Sequence, residues 1–209
     1  MKPIVELISR WAEFESEHPE GDVDSFCRYI LAQHAESPVS GGNREMQTGM
    51  LTRVIGRLSS AYALYHRAAM NDMGLPGPDS FYYLNSLLQL GEVQKKELIN
   101  FHFAETTTGM AAIDKLIKAG FVVERDDPDD GRARLIKLTE AGLDKLGKCL
   151  PNASKVNEMI FHGVPSDDLK VCYTLLKKSE QEHSTKSILL KNKGFDEMYE
   201  AIVGRGRGD

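Results

Sequence analysis

Three consecutive threonines, Thr106-Thr107-Thr108, and the basic residues Lys95, Lys115, Arg132 and Arg134 around them are the side chains whose types and spacing suit a chemistry. That chemistry is hydrogen bonding and ion pairing to a polyanion rather than bond making. Hydroxyls at the start of a helix sit beside free backbone N–H groups and the positive end of the dipole. There they either cap the helix or bond phosphates and base edges. Asp130 lies two residues before Arg132, close enough to pair with it, and Arg134 is either a phosphate contact or the solvent face of a strand. Catalytic patterns are absent: there is no His-Glu-x-x-His, no glycine-rich phosphate loop and no Gly-x-Ser-x-Gly. The six histidines are scattered, and His102 reads as structural, so no enzyme, catalytic residue or cofactor is expected.

These side chains need elements to position them. Glu92 to Phe101 reads as one short helix carrying Lys95 and Lys96. Glu105 starts a second helix on which Ile113, Leu116 and Ile117 recur at helical spacing, and Gly120 stops it as a C-terminal glycine does. A β-rich run from Phe121 to Arg125, a tip rich in Asp, Pro and Gly, and a run from Arg134 to Leu138 predict a hairpin. Helix, helix, hairpin is the plan of a winged helix-turn-helix, whose second helix enters the major groove of DNA while the hairpin reaches the neighbouring backbone or minor groove. Gly109 inside the second helix costs up to ~1 kcal/mol against alanine. Close approach to DNA, close approach to the preceding helix, or simple tolerance would each account for it.

Asp130-Gly131-Arg132-Ala133-Arg134-Leu135-Ile136-Lys137-Leu138-Thr139, followed by Glu140-Ala141-Gly142, resembles the wing of the MarR family of bacterial transcriptional regulators. Glu97-Leu98 and Lys115 to Val122 extend the resemblance, which runs from roughly Met50 to Ser187. It implies a homodimer on a pseudo-palindromic operator, with recognition helices one turn of double-stranded DNA apart at ~34 Å. It also implies an Arg132 that enters the minor groove with help from Asp130, and leaves room for a small aromatic or phenolic effector. The DNA-binding residues expected are Lys95, Thr106, Thr107, Thr108, Lys115, Asp130, Arg132 and Arg134. Where the family often has Thr-Val-Thr-Arg, this chain has Thr108-Gly109-Met110-Ala111, without the arginine.

The fold class expected is mainly α with a small β-hairpin wing: a winged helix-turn-helix lobe plus N- and C-terminal dimerisation helices. Residues 1–43 read as an acidic helical extension and linker, with stripes Ile4, Leu7, Ile8, Trp11, Phe14 and then Phe26, Tyr29, Ile30. Residues 44–73 hold a long dimerisation helix, its 46–73 run roughly 40 Å long and more than one small domain needs. The lobe is residues 74–148. Dimerisation helices follow over 149–203, with Pro151 interrupting the first and Pro165 opening the last, and 204–209 reads as a flexible tail.

The net charge of −5 arises in the first 48 residues, with 4 basic against 9 acidic, while Glu92 to Lys148 is nearly balanced at 10 against 11. Weak sequence-independent DNA affinity follows, so specificity must come from geometry. Asp126, Asp127 and Asp129 at the wing tip should repel phosphate. They support a second reading, a winged-helix module that binds protein. The tip lacks the downstream glutamate of a calcium loop, so no metal is expected. Cys27, Cys149 and Cys172 are odd in number and widely spaced, without a disulfide framework or a zinc pattern, and read as buried thiols. A redox-sensing role for Cys27 is the third reading. No apolar run is long enough to span a bilayer and no signal peptide precedes the first helix, so the expected location is the cytoplasm.

Overall fold

The computed structural model describes residues 2–34 and 43–204, which divide into two compact units, Met1–Ser59 and Ser60–Asp209. The linker expected at the end of residues 1–43 lies outside the described residues up to position 42, as does the tail from position 205.

In the first unit, α1 (Pro3–Glu17) and α2 (Val23–His34) form a hairpin around an aromatic knot. Phe14 and Phe26 are buried with ring centroids 5.5 Å apart, and Trp11, His18 and Tyr29 close around them. Asp22 caps α2 by accepting from the amide of Ser25 at 2.8 Å and its hydroxyl at 2.6 Å, which holds the Asp22 carboxyl below its ordinary range. Only the Trp11–Phe14 end of the expected stripe is covered, because Ile4, Leu7 and Ile8 are all more than half exposed. The long helix α3 (Arg44–Met70) begins in this unit and, at 27 residues, is about 40 Å long. It stops at Met70 rather than Met73, since residues 71–73 form a turn.

From Ser60 onward the chain builds the lobe. Helix α4 (Ser80–Leu90) is its centre, with Phe81, Tyr83, Leu84 and Leu87 buried. Around it are β1 (Val93–Gln94), α5 (Lys95–Phe101), α6 (Thr106–Lys118), β2 (Val122–Asp126) and β3 (Arg134–Leu138). The sheet order is β1-β3-β2, antiparallel throughout, with Val93 opposite Ile136 and Val122 opposite Leu138. Leu98, Ile99, Ile113, Leu116 and Ile136 meet α4 in one core. Each such side chain contributes ~2 kcal/mol of burial. Glu92 to Phe101 is therefore not one helix. Its first residues pair with the wing, and α5 starts at Lys95 with the Glu97 carboxylate accepting from the amide of Gln94 at 3.0 Å.

Helix α7 (Glu140–Ile160) runs straight through Pro151, against expectation. Leu146 and Cys149 before the proline, and Ala153 and Val156 after it, are all buried on one face. Pro151 itself is exposed, so the lost backbone bond falls on the solvent side while packing carries the helix past it. Helix α8 (Ser166–Leu190) follows Pro165 as the sequence predicts, and α9 (Phe195–Ile202) comes last. Neither has a buried residue: Val171, Cys172, Leu175 and Leu176 face solvent, and Leu169 is half-buried. Cys27 is exposed too, so only Cys149 fits the buried-thiol expectation.

Candidate nucleic-acid interface

The join between wing and helices begins at Gly120, whose φ of +75° lets α6 end and the chain turn into β2. The Phe121 carbonyl accepts from the amide of Thr139 at 3.1 Å, and the Thr139 hydroxyl donates to the Gly120 carbonyl at 2.7 Å. The same hydroxyl oxygen accepts from the amide of Gly142 at 3.0 Å, capping α7. Leu138-Thr139-x-x-Gly142 is thus a clasp that locks the wing's return strand to the helix after it.

The acidic tip has a structural explanation that the sequence did not supply. Asp127 is buried, accepting from the amide of Asp129 at 3.0 Å and from Gln94 Nε2 at 2.7 Å. Those two bonds, the backbone one first, hold its carboxyl below the usual range. Asp126 pairs with Arg134 at 2.8 Å. Asp130 accepts from the backbone amide of Arg132 at 3.0 Å, so it shapes the turn rather than pairing with the guanidinium. The Arg132 guanidinium has no ion-pair partner among the described residues.

Lys95 is placed differently. Its ammonium is bonded to Glu124 on β2 and lies 3.5 Å from Asp114 on α6, with the side chain only 13% exposed. It ties helix to wing and is not free for a phosphate. Arg125 bonds Glu92 at 2.9 Å through Nε, staying protonated while it holds Glu92 below its ordinary range.

Thr106, Thr107 and Thr108 are exposed on the first turn of α6. None of them caps it: the N-cap is Glu105, without a side-chain bond. Gly109 is buried against the preceding helix, where a Cβ would come within 2.6 Å of the Ile99 side chain. Helix packing, not DNA, accounts for that glycine.

Thr106 shares a groove of about 700 Å³ with Lys95, Asp130, Arg132 and Arg134. Thr107, Thr108 and Lys115 line a second cleft of about 450 Å³ against Gly77–Ser80. Among the residues not foreseen in the first groove are Asn100, Lys191 and Asn192. Nothing in the sequence places the end of α8 there.

A separate cavity of about 360 Å³ lies between the end of α3 and the start of α4, lined by His66, Arg67, Met70, Leu75, Asp79 and Tyr82. His66 is 2% exposed, stacked on Tyr82 at 4.4 Å, and its Nε2 has no hydrogen-bond partner among the described residues. Burial lowers its pKa from the ordinary 6.5, and that of His102 likewise. The proton therefore favours the unfolded chain. The stability these neutral imidazoles contribute is full above about pH 6.5 and is lost as pH falls below it. We expect the melting temperature to drop between about pH 7.5 and 5.5, and to drop less in His66→Phe. Equal slopes in calorimetric scans of the two proteins would remove His66 from this account.

No group of acidic, His or Cys side chains suited to a metal occurs among the described residues, and no helix there is long and apolar enough to cross a membrane. Residues 81–142 match the family model described as a winged helix DNA-binding domain. No curated protein matches the chain significantly. Three solved structures are informative. An uncharacterized SlyA-like transcription regulator from Listeria monocytogenes is 20% identical, with TM-score 0.61 over 68% of this chain and 93% of that one. A cysteine-to-serine mutant of MarR from E. coli, complexed with operator DNA, is 19% identical, with TM-score 0.58 over 66% and 99%. BpsR of Bordetella bronchiseptica, whose DNA binding is regulated by 6-hydroxynicotinic acid, is 19% identical, with TM-score 0.57 over 63% and 98%. The clasped wing and the two helices before it thus have known counterparts: the chain carries a winged helix DNA-binding domain over residues 81–142 and has the fold of the MarR transcriptional regulators.

Proposed function

We propose that the protein is a homodimeric transcriptional regulator that binds a pseudo-palindromic operator and responds to a small aromatic or phenolic effector. The observation that carries this reading is the pairing of exposed threonines on the first turn of α6 with an uncommitted Arg132 at a wing tip where Asp126, Asp127 and Asp130 are bonded within the wing and β1. Thr106, Thr107, Thr108 and Arg132 make the DNA contacts in this reading. Lys115 adds a phosphate contact, while Lys95, Asp130 and Arg134 hold the wing in place. Selection of bound sequences from a random DNA pool, at two salt concentrations, tests it. Enrichment of an inverted repeat with half-site centres about one turn apart is expected, and a pool that stays random would overturn it.

Dimerisation is supported by the apolar faces the single chain leaves open. Leu51, Val54, Ile55 and Leu58 on α3 are each at least 40% exposed, as are Val171, Leu175 and Leu176 on α8. A monomer rarely presents so much apolar surface without a partner. Leu175→Glu is expected to give a monomer in sedimentation analysis and to lose operator affinity at least tenfold, because one half-site alone is gripped. A dimer with unchanged affinity would sink this assignment.

The effector's place in this reading is the His66 cavity. Its volume suits one ring, the imidazole and Tyr82 offer stacking faces, and His66 Nε2 offers an unused polar partner. The protein-module reading, which also drew on the missing recognition-helix arginine and the acidic N-terminal helices, is weakened at the wing, since Asp126 and Asp127 have partners within the wing and β1 while the Asp129 carboxylate has none among the described residues.

A further inference from the structure

The C-terminal end of α8 lies on the face that the proposed function assigns to DNA. Ile188, Lys191 and Asn192 line the same groove as Thr106 and Arg132, and so border the space a strand of the duplex would enter to reach both. Lys191 fastens this end, its ammonium donating to the backbone carbonyl of Ala104 in the turn between α5 and α6. That turn is itself unusual, because Phe103 sits in the left-handed region at φ 51°.

The attachment is light. Helix α8 buries no residue, Ile188 is 42% exposed, and Leu189 and Phe195 just beyond are 72% and 78% exposed. Residues 193–203 do not suit a phosphate contact. Lys193 is paired with Glu197 at 2.6 Å, and α9 carries Asp196, Glu197 and Glu200 with no basic residue. A segment that enters the groove with its lysine already bonded, and leads into three carboxylates, repels a polyanion.

We propose that residues 188–203 form an autoinhibitory strap, held by the Lys191–Ala104 bond, which DNA must displace to reach Thr106 and Arg132. This rests on the DNA-binding reading above. Because the strap is held by about one hydrogen bond's worth of contact, its release should change affinity by about fivefold to tenfold. The sign separates it from a direct contact: removing a lysine that touched phosphate would weaken binding and lower its salt dependence.

The test uses the full chain. Lys191→Ala is expected to bind a duplex of about thirty base pairs about fivefold more tightly in fluorescence anisotropy. In the unaltered protein, backbone hydrogen exchange over residues 188–203 is expected to speed up when the duplex is added, because the strap is expelled. Unchanged or weaker binding by Lys191→Ala, or slower exchange on adding DNA, would overturn the strap while leaving DNA binding intact. If neither protein binds any duplex at low salt, the DNA-binding reading fails and the strap fails with it.

Discussion

Gly142→Ala is expected to destabilise the protein by about 3 kcal/mol or more, the largest effect of any single methyl group in the lobe. An added Cβ would stand 2.1 Å from the carbonyl oxygen and 3.0 Å from the carbonyl carbon of Phe121. Both are backbone atoms, so no rotamer change relieves the clash. The Phe121 carbonyl also cannot retreat freely, because it accepts from Thr139, whose hydroxyl bridges the Gly120 carbonyl and the Gly142 amide. Moving it breaks the clasp and leaves buried polar groups without partners. For a chain of this length the melting temperature should fall by roughly 6 to 12 °C. Gly147→Ala on the same helix is the control. A Cβ there meets nothing, and alanine should add up to ~1 kcal/mol through its better helix propensity. If the two alanine variants melt together, the steric account of Gly142 is wrong.

Arg132→Ala should lower operator affinity by about tenfold to a hundredfold with no change in melting temperature. The side chain is exposed and uncommitted, so its removal costs the folded state nothing it uses. The turn that presents it is held by main-chain bonds from Ala133 to Asp130 at 2.8 Å and from Asp127 to Ala133 at 3.2 Å, which alanine preserves. The salt dependence of binding should also weaken by about one counterion. Arg134→Ala should do less, since that guanidinium is partly neutralised by Asp126. An Arg132→Ala protein that binds the selected operator as tightly as the original, at matched salt, would refute the arginine's role and with it the carrying observation of the proposed function.

The parts of the fold legible in the sequence are those whose signal is local. The wing's return strand from Arg134 to Leu138, the Gly120 stop and the Pro165 start each depend on residues within a few positions, and each is where the pattern puts it. The illegible parts depend on partners far along the chain. β1 is two residues long, too short to alternate, and exists because Ile136 lies beside it. Asp127 looked like an exposed repulsive charge, yet it is buried by Gln94, thirty-three residues away. Lys95 looked like a phosphate ligand and is instead committed to Glu124 and Asp114. Pro151 looked like a break because the buried face that carries α7 past it is set by α4, more than sixty positions earlier. The threonines were correctly placed at the start of α6, but capping falls to no side chain there.

The wing is built as a cantilever. Its strands are bolted to α5 and α6 through Lys95, which meets Glu124 and Asp114, and the near side of its tip to β1 through Asp127–Gln94, whereas its free end is a short turn bearing one unattached arginine. On the proposed function, a duplex would freeze a single side chain rather than a whole loop, which would keep the entropic penalty of contact to about 2 kcal/mol. The same division leaves the interior untouched by changes at the exposed turn: a substitution at Gly131 or Arg132 alters what the tip presents without any part of the core having to be rebuilt.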